Sequence, residues 1–398
     1  MGTKKLYDDH PYETEFEAKV LTITSSGEEK GWNVVLDQTL FFPEEGGQTP
    51  DRGSLVIGGV TYEVEDVSIQ DGIITHQIRS EQAKEPEGET AKGRIFWSHR
   101  YSNMQNHTGE HIFSGLVHAA KGYDNVGFHL SDHIVTMDYN GVLTEEEIQA
   151  FTAKANEVIA ANLPVICAYP ADEELAKMEY RSKKEVEGAV RIVTISGVDC
   201  CACCAPHVRT TAEVGLLMVV GSQNYKGGTR LSILCGQRAV EDYRKKHAML
   251  SLVGRQLSTN WENIFQTVDK LRSERDNFKY RSAQLSAKLL EIEAKELSGE
   301  RDVCLFTDCN DRNVLQRVVN KMKEEHSGIS VIFSRKESDG AEEYTYVASS
   351  LTKDCRLFSE KLKKIFQAKG GGKSEMVQGS VAASKETLEN CVKNLNIL

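Results

Sequence analysis

Two pairs of residues in this 398-residue chain have types and spacing suited to chemistry: His107 and His111 within HTGEH, and Cys203 and His207 within CCAPH. Each pair is spaced i, i+4, which puts two side chains on one helix face or across a tight turn. Imidazole and thiolate are the donors Zn²⁺ prefers. A lone histidine is most often a satisfied core or surface residue, but two such pairs, one inside a cysteine cluster, shift the balance to a metal. Spacing leaves the choice of thiolate open, because Cys200 with Cys203 and Cys201 with Cys204 are both C-x-x-C pairs, shared by dithiol redox and structural zinc sites. The first pair also reads as H-x-x-E-H, the zinc-peptidase pattern in which Glu110 is the general base. That pattern wants a distal carboxylate ligand, and the distal candidates here are Cys and His.

The elements that must position these residues form an α+β chain. Residues 15–97 alternate apolar and polar with frequent turn signals, which predicts a small, mostly antiparallel β-barrel or sandwich, taken as a barrel over 1–90. Inside it lies PEEGGQTPDRG, whose glycines allow positive φ and whose Gln48 and Asp51 offer polar groups. From Trp97 the pattern becomes helical. A second helix follows, with a capping box at Thr144 and Glu147, and strands are expected around VGFHL, HIVTMDYN, VICAYP, VRIVTISG, VGLLMVVGSQNY and TRLSILCG, giving an α+β zinc-binding domain over 91–238. Residues 239–300 read as a long helix or helical hairpin, with a capping box at Thr259 and Glu262. Its coiled-coil-like seam runs through Trp261, Ile264, Val268, Leu271, Phe278, Leu285, Leu289 and Ile292. Residues 301–398 read as a small α/β domain ending in a basic helix and GGGKSEMVQGS.

Composition narrows the class. Ten cysteines, four of them between 200 and 204, suit reduced thiols, and the chain opens with no apolar leader and contains no membrane-length apolar run, so a soluble cytoplasmic protein is expected. The net charge of −11 argues against indiscriminate nucleic-acid binding. Two basic runs stand out locally: Lys226, Arg230, Arg238 and Arg244–Lys246, then Lys353, Arg356, Lys361, Lys363, Lys364, Lys369 and Lys373. The second has a surplus of five positive charges between 353 and 373.

HTGEH followed by CCAPHVRTTAEVG resembles the H-x-x-x-H and C-x-x-x-H zinc motifs of the alanyl-tRNA synthetase editing domain and of the freestanding alanyl-tRNA editing proteins (AlaX type, long form). PEEGGQTPDRG is similar to that family's barrel loop, FHLSDHIVTMDYNG and GGTRLSILCGQRA to its next two blocks, and GGGKSEMVQGS to the glycine-rich motif of the DHHA1-like C-terminal domain. The blocks follow family order over nearly the whole chain. With the barrel at its start, the sequence resembles the freestanding form and not a full synthetase.

The resemblance implies one Zn²⁺ per chain on His107, His111, Cys203 and His207. It also implies hydrolysis of alanine-specific tRNA mischarged chiefly with serine, and sometimes glycine. For the polar group that tells serine from alanine, and for catalysis, the candidates by position are Thr108, then Gln48, then Asn125 and His129. Glu110 is a candidate base, although it stands roughly 60° off the face shared by the histidines. Lys361, Lys363, Lys364, Gly370, Gly371, Gly372 and Lys373 are candidate tRNA contacts, and the helical segment or the C-terminal domain is the candidate homodimer surface. The chain departs from the family at Cys204-Ala205-Pro206, where C-x-G-T-H is usual, at Glu110, and at Glu45, which replaces a glycine. A noncatalytic tRNA-binding protein with structural zinc, the peptidase and a dithiol redox protein are the competing readings.

Overall fold

The computed structural model describes residues 2–27, 31–79, 87–182, 189–297, 301–336 and 342–395, and the chain divides into two compact units, 1–250 and 251–398. In the first unit six strands close a barrel: β1 (Glu15–Ser25), β2 (Gly31–Leu36), β3 (Gly53–Ile57), β4 (Val60–Gln70), β5 (Ile73–Arg79) and β6 (Thr90–Ile95), in the order β1-β2-β5-β4-β3-β6 with every neighbour antiparallel. The alternation seen in the sequence is the pleat itself. Phe16 and Val64 point inward between exposed glutamates, and Leu55, Ile78 and Ile95 are buried between more accessible neighbours.

Among these apolar residues lies His76, fully buried. Its Nδ1 donates to the Val34 carbonyl (3.1 Å) and its Nε2 accepts from Thr39 Oγ1 (2.8 Å). Burial lowers its pKa to about 4, the bond to Val34 opposing only in part. A histidine depressed in the fold takes up a proton on unfolding, so its contribution is complete above its unfolded value of about 6.5 and is lost as pH falls towards 4. About 3 kcal/mol of stability is therefore expected to disappear across that window. Denaturant midpoints for the wild type should fall accordingly, and His76→Gln, weaker at neutral pH, should show a shallower slope. An identical slope would remove His76 as the cause.

The barrel leads into α1 (Trp97–Lys121), which is buried over most of its length and ends at Gly122 in the left-handed conformation. Against it lies a four-stranded antiparallel sheet, and a small three-stranded one stands apart from it. In full chain order the elements are β7 (Asn125–Leu130), β8 (Val135–Tyr139), α2 (Glu145–Ala160), β9 (Val165–Ala168), β10 (Ile192–Ile195), β11 (Asp199–Ala202), β12 (Leu217–Tyr225), β13 (Gly228–Cys235) and α3 (Gly236–Gln256). By these labels the four-stranded sheet is β12-β13-β8-β7 and the small antiparallel one is β9-β10-β11. Ile112, Phe113 and Val117 of α1 share a core with Met137, Leu231 and Ile233 of the sheet and with Ile148 and Ile159 of α2. Thr144 and Glu147 form the expected reciprocal cap.

In the second unit the helical expectation needs correction. There is no capping box at Thr259 and Glu262. Asn260 caps instead, its side chain accepting from the Asn263 N–H (3.1 Å), and α4 (Ile264–Glu296) begins after one 3₁₀ turn. Ser258 at φ +51° precedes the cap and breaks the chain between two helices, which suits the hairpin alternative over a single long helix. Ala287, Leu290 and Ala294 of α4 are buried, whereas Val268, Leu271, Phe278, Leu285, Leu289 and Ile292 of the expected seam are exposed. The rest is β14 (Val303–Thr307), α5 (Arg312–Glu325), β15 (Ser330–Arg335), β16 (Glu343–Ser349), α6 (Cys355–Phe366), β17 (Lys369–Lys373), β18 (Met376–Ala382) and α7 (Lys385–Lys393). They form a mixed sheet of order β14-β15-β16-β18-β17, parallel only at β14-β15.

Candidate metal centre

His107 and His111 lie one turn apart in the middle of α1, and their ring centroids are 5.4 Å apart. The backbone of α1 can press on β13 there because Gly109 has no side chain: a Cβ would lie 2.3 Å from Cys235 Sγ. Cys203 and His207 come from the segment after β11. Arg191 holds that segment by donating from one guanidinium nitrogen to the carbonyls of Cys203 (3.1 Å) and Ala205 (2.8 Å). One donor atom from each of His107, His111, Cys203 and His207 falls within 4.8 Å of every other. Cys203 Sγ stands 3.5 Å from His107 Nε2 and 3.4 Å from His207 Nε2.

The far side of each imidazole is also held. His107 Nδ1 donates to Gln48 Oε1 (2.7 Å), His111 Nδ1 to Asp199 Oδ2 (2.8 Å) and His207 Nδ1 to Thr108 Oγ1 (3.0 Å). A proton fixed on Nδ1 leaves the Nε2 lone pair facing the shared point, as metal-binding histidines require. Gln48 arrives on the glycine loop, in which Gly46 and Gly47 have φ of +63° and +83°. Leu130 N–H donates to the Gly47 carbonyl (2.7 Å), so the loop docks on β7, and a Cβ at Gly47 would lie 2.4 Å from the Phe128 carbonyl oxygen.

The electrostatics single out one thiol. Burial raises the Cys203 pKa, but His107 and His207 outweigh it and hold the group well below the ordinary thiol value. Burial pushes Cys201 up to about 12 and also raises Cys204. His111 is raised to about 9: burial opposes the proton, and the bonds to Asp199 and Cys203 override it. His207 is lowered to about 3, chiefly by burial. A thiolate among three oriented imidazoles suits Zn²⁺ in both donor type and number.

The other expected residues are placed as follows. Gln48 and Thr108 sit behind the histidines. Glu110 is fully buried and its Oε1 accepts from Asn125 Nδ2 (2.7 Å) and Ser114 Oγ (2.7 Å). His129 is exposed on β7. A cavity of about 700 Å³ reaches His107, His111 and Cys203, and none of Gln48, Thr108, Glu110, Asn125 and His129 lines it. Gly370, Gly371, Gly372 and Lys373 lie on the exposed edge strand β17. Lys363 and Lys364 are exposed at the end of α6, and Lys361 Nζ donates to the Asn394 carbonyl (3.3 Å). Lys353 pairs with Asp302 and Arg356 with Asp354. In the earlier basic run, Arg230 pairs with Asp138.

Sequence reading missed Asp199 and Arg181. Asp199 is buried and also accepts from Arg181 Nε (2.8 Å); burial works against its charge, but His111 and Arg181 together hold its pKa below the ordinary value. Residues 199, 201 and 203 alternate along an extended segment, the one signal that would have put Asp199 beside Cys203. Asp199→Asn is expected to weaken zinc affinity about 10- to 100-fold, measured by competition with a chromogenic chelator. Unchanged affinity would make Asp199 a fold residue only.

A family model described as tRNA synthetases class II (A) matches residues 5–99, and one described as Threonyl and Alanyl tRNA synthetase second additional domain matches residues 190–232. The alanyl-tRNA editing protein AlaX-L of Pyrococcus horikoshii is 29% identical, over 97% of this chain and 96% of its own. The chain is related to the alanyl-tRNA editing proteins. Alanine–tRNA ligases of Ignicoccus hospitalis and Methanoculleus marisnigri are each 29% identical over 84% and 95% of the chain, which spans 37% and 41% of their lengths. The solved C-Ala domain of Aquifex aeolicus alanyl-tRNA synthetase matches 22% of the chain and 86% of its own at 16% identity with a TM-score of 0.18, a likeness that carries no fold argument. Among the described residues no helix is long and apolar enough to cross a membrane.

Proposed function

We propose that this chain is a cytoplasmic, zinc-dependent deacylase that removes serine, and also glycine, from mischarged alanine-specific tRNA in trans. The observation that carries the reading is the meeting of four donor atoms from His107, His111, Cys203 and His207, the first three of these residues lining a cavity, in a chain whose editing-protein relative aligns end to end. Bound there, Zn²⁺ supplies positive charge that can polarise an ester carbonyl or anchor the aminoacyl group. The protein's own part is orientation. Gln48, Thr108 and Asp199 fix the three imidazoles, and Arg191 fixes the backbone that carries Cys203. Thr108 Oγ1 accepts from His207 and from the Val208 N–H (3.3 Å), which leaves its own proton to donate. Neither Thr108 nor Gln48 lines the cavity, so in this reading Thr108 acts through His207 and Gln48 through His107.

Asn125 and Glu110 hold one another behind the site. With Ser114 bonded to Glu110 as well, the carboxylate lies off the cavity wall, which disfavours the H-x-x-E-H peptidase reading. The test is hydrolysis of seryl-tRNA and alanyl-tRNA on the alanine-specific tRNA, with Cys203→Ala/His207→Ala as control. Loss of the seryl ester alone, abolished in the control, is the expected result. Survival of both esters with tight tRNA binding would leave a noncatalytic RNA-binding protein with structural zinc.

The domains at 1–90, 91–238, 239–300 and 301–398 divide the labour in this reading: barrel and zinc domain for chemistry, helix and DHHA1-like domain for tRNA and a second subunit. Lys363, Lys364 and Lys373 with the Gly370–Gly372 strand form the tRNA surface, and Lys361 stands beside it. Lys363→Glu/Lys364→Glu is expected to weaken tRNA binding at every salt concentration and to lower the salt slope by about one or two contacts, with zinc content unchanged. Filter binding from low to moderate salt measures this, and an unaltered slope would move the RNA elsewhere.

A further inference from the structure

We propose that the rim of the same cavity is a subsite for the 3′-terminal nucleotide of the RNA, in which Tyr169 stacks on the base, Glu45 accepts from the ribose hydroxyl and Lys5 meets the phosphate. The proposal rests on the deacylase reading and says where that substrate's last nucleotide is held. The cavity of about 700 Å³ is in the range that encloses a whole drug-sized ligand, far more than a seryl or glycyl group needs. Its lining extends past His107, His111 and Cys203 to these three residues.

Tyr169 is half exposed on the wall. Its hydroxyl donates to Asp8 Oδ2 (2.8 Å), which fixes the ring at its outer end and leaves its area open to the cavity. Base stacking on such a ring needs no base-specific hydrogen bond. Glu45 has one carboxylate oxygen, Oε2, that is buried and has no hydrogen-bond partner of its own among the described residues, the carboxylate's other contact being the Cys204 thiol. Lys5 Nζ is 4.0 Å from it, beyond hydrogen-bond reach and about a third exposed, so the pair does not satisfy the acceptor. An aminoacyl ester on one ribose hydroxyl leaves its neighbour free to donate, and a carboxylate is the usual acceptor for a ribose hydroxyl.

The test compares kcat/KM for RNA carrying a 3′ seryl ester on three termini: adenosine, abasic ribose and 2′-deoxyadenosine. Tyr169→Ala is expected to lower kcat/KM about tenfold on the adenosine end, through KM, and to leave the abasic end unchanged; Tyr169→Phe, which keeps the ring and loses its anchor at Asp8, should lose less than Tyr169→Ala. Glu45→Ala is expected to cost on the order of fivefold on adenosine and nothing on 2′-deoxyadenosine. Equal losses on paired termini would overturn the subsite and leave the deacylase reading standing. Should the wild type hydrolyse none of the esters, that reading fails, and calorimetric titration with 5′-AMP decides the subsite: binding that Tyr169→Ala abolishes supports it, and no binding overturns it.

Discussion

Cys203→Ala is expected to take bound Zn²⁺ from one per chain to well below one and to lower deacylation by about three orders of magnitude, since a metal's charge at an ester is worth several kcal/mol. The effect should be this large because Cys203 is the one sulfur in the four-donor group and the one cluster thiol held well below its ordinary pKa. Its three neighbours are the controls. Cys200 lies 3.8 Å from Thr194 Oγ1, Cys204 Sγ packs near Gly46, and Cys201 shares a second candidate group with His111 and Asp199. Cys200→Ala and Cys204→Ala should keep their zinc. Cys201→Ala is the informative one: if it loses the metal and Cys203→Ala keeps it, the ion sits on the Asp199 side of His111 and the four-donor assignment is wrong. Metal analysis of the purified, folded variants reads both outcomes without any assay of activity.

What could be read from the sequence follows the range of the interactions. The i, i+4 pairs, the barrel alternation and the cap at Thr144 are local patterns, and each appears where local geometry puts it. The bonds that orient the histidines are not local. Asp199 reaches His111 across 88 positions and Gln48 reaches His107 across 59, so nothing in either neighbourhood announces the contact. Gln48 looked like a reader of substrate because it sits in a glycine-rich loop, and the fold turns it instead to the back of His107. The helix near residue 260 starts from Asn260 and not Thr259 for a different reason. Thr259, Asn260 and Glu262 offer overlapping cap patterns, and which of them wins is set by where the chain leaves α3, through Ser258 in the left-handed region.

Arg100→Leu is expected to destabilise the first unit by about 3–5 kcal/mol, or about 10 °C in melting temperature. Arg100, near the start of α1, has no exposed surface. Its Nε donates to Asp51 (3.0 Å to each oxygen), and its terminal nitrogens donate to Asp51, to the Leu40 carbonyl (2.6 Å) and to the Pro11 carbonyl (2.9 Å). Asp51 accepts in addition from the Phe42 N–H (2.6 Å) and is itself buried. Removing the guanidinium leaves a buried carboxylate and two carbonyls unmet, and that desolvated remainder is the source of the cost. The pair joins the barrel's glycine loop to the helix that carries His107 and His111, so the damage should reach the metal: three positions separate Asp51 from Gln48, and the His107 bond depends on that loop. Asp51→Leu/Arg100→Leu should recover part of the loss, because it leaves no buried charge behind. A double variant as unstable as the sum of the singles would mean that the two side chains act separately, and that the loop is held at β7 alone.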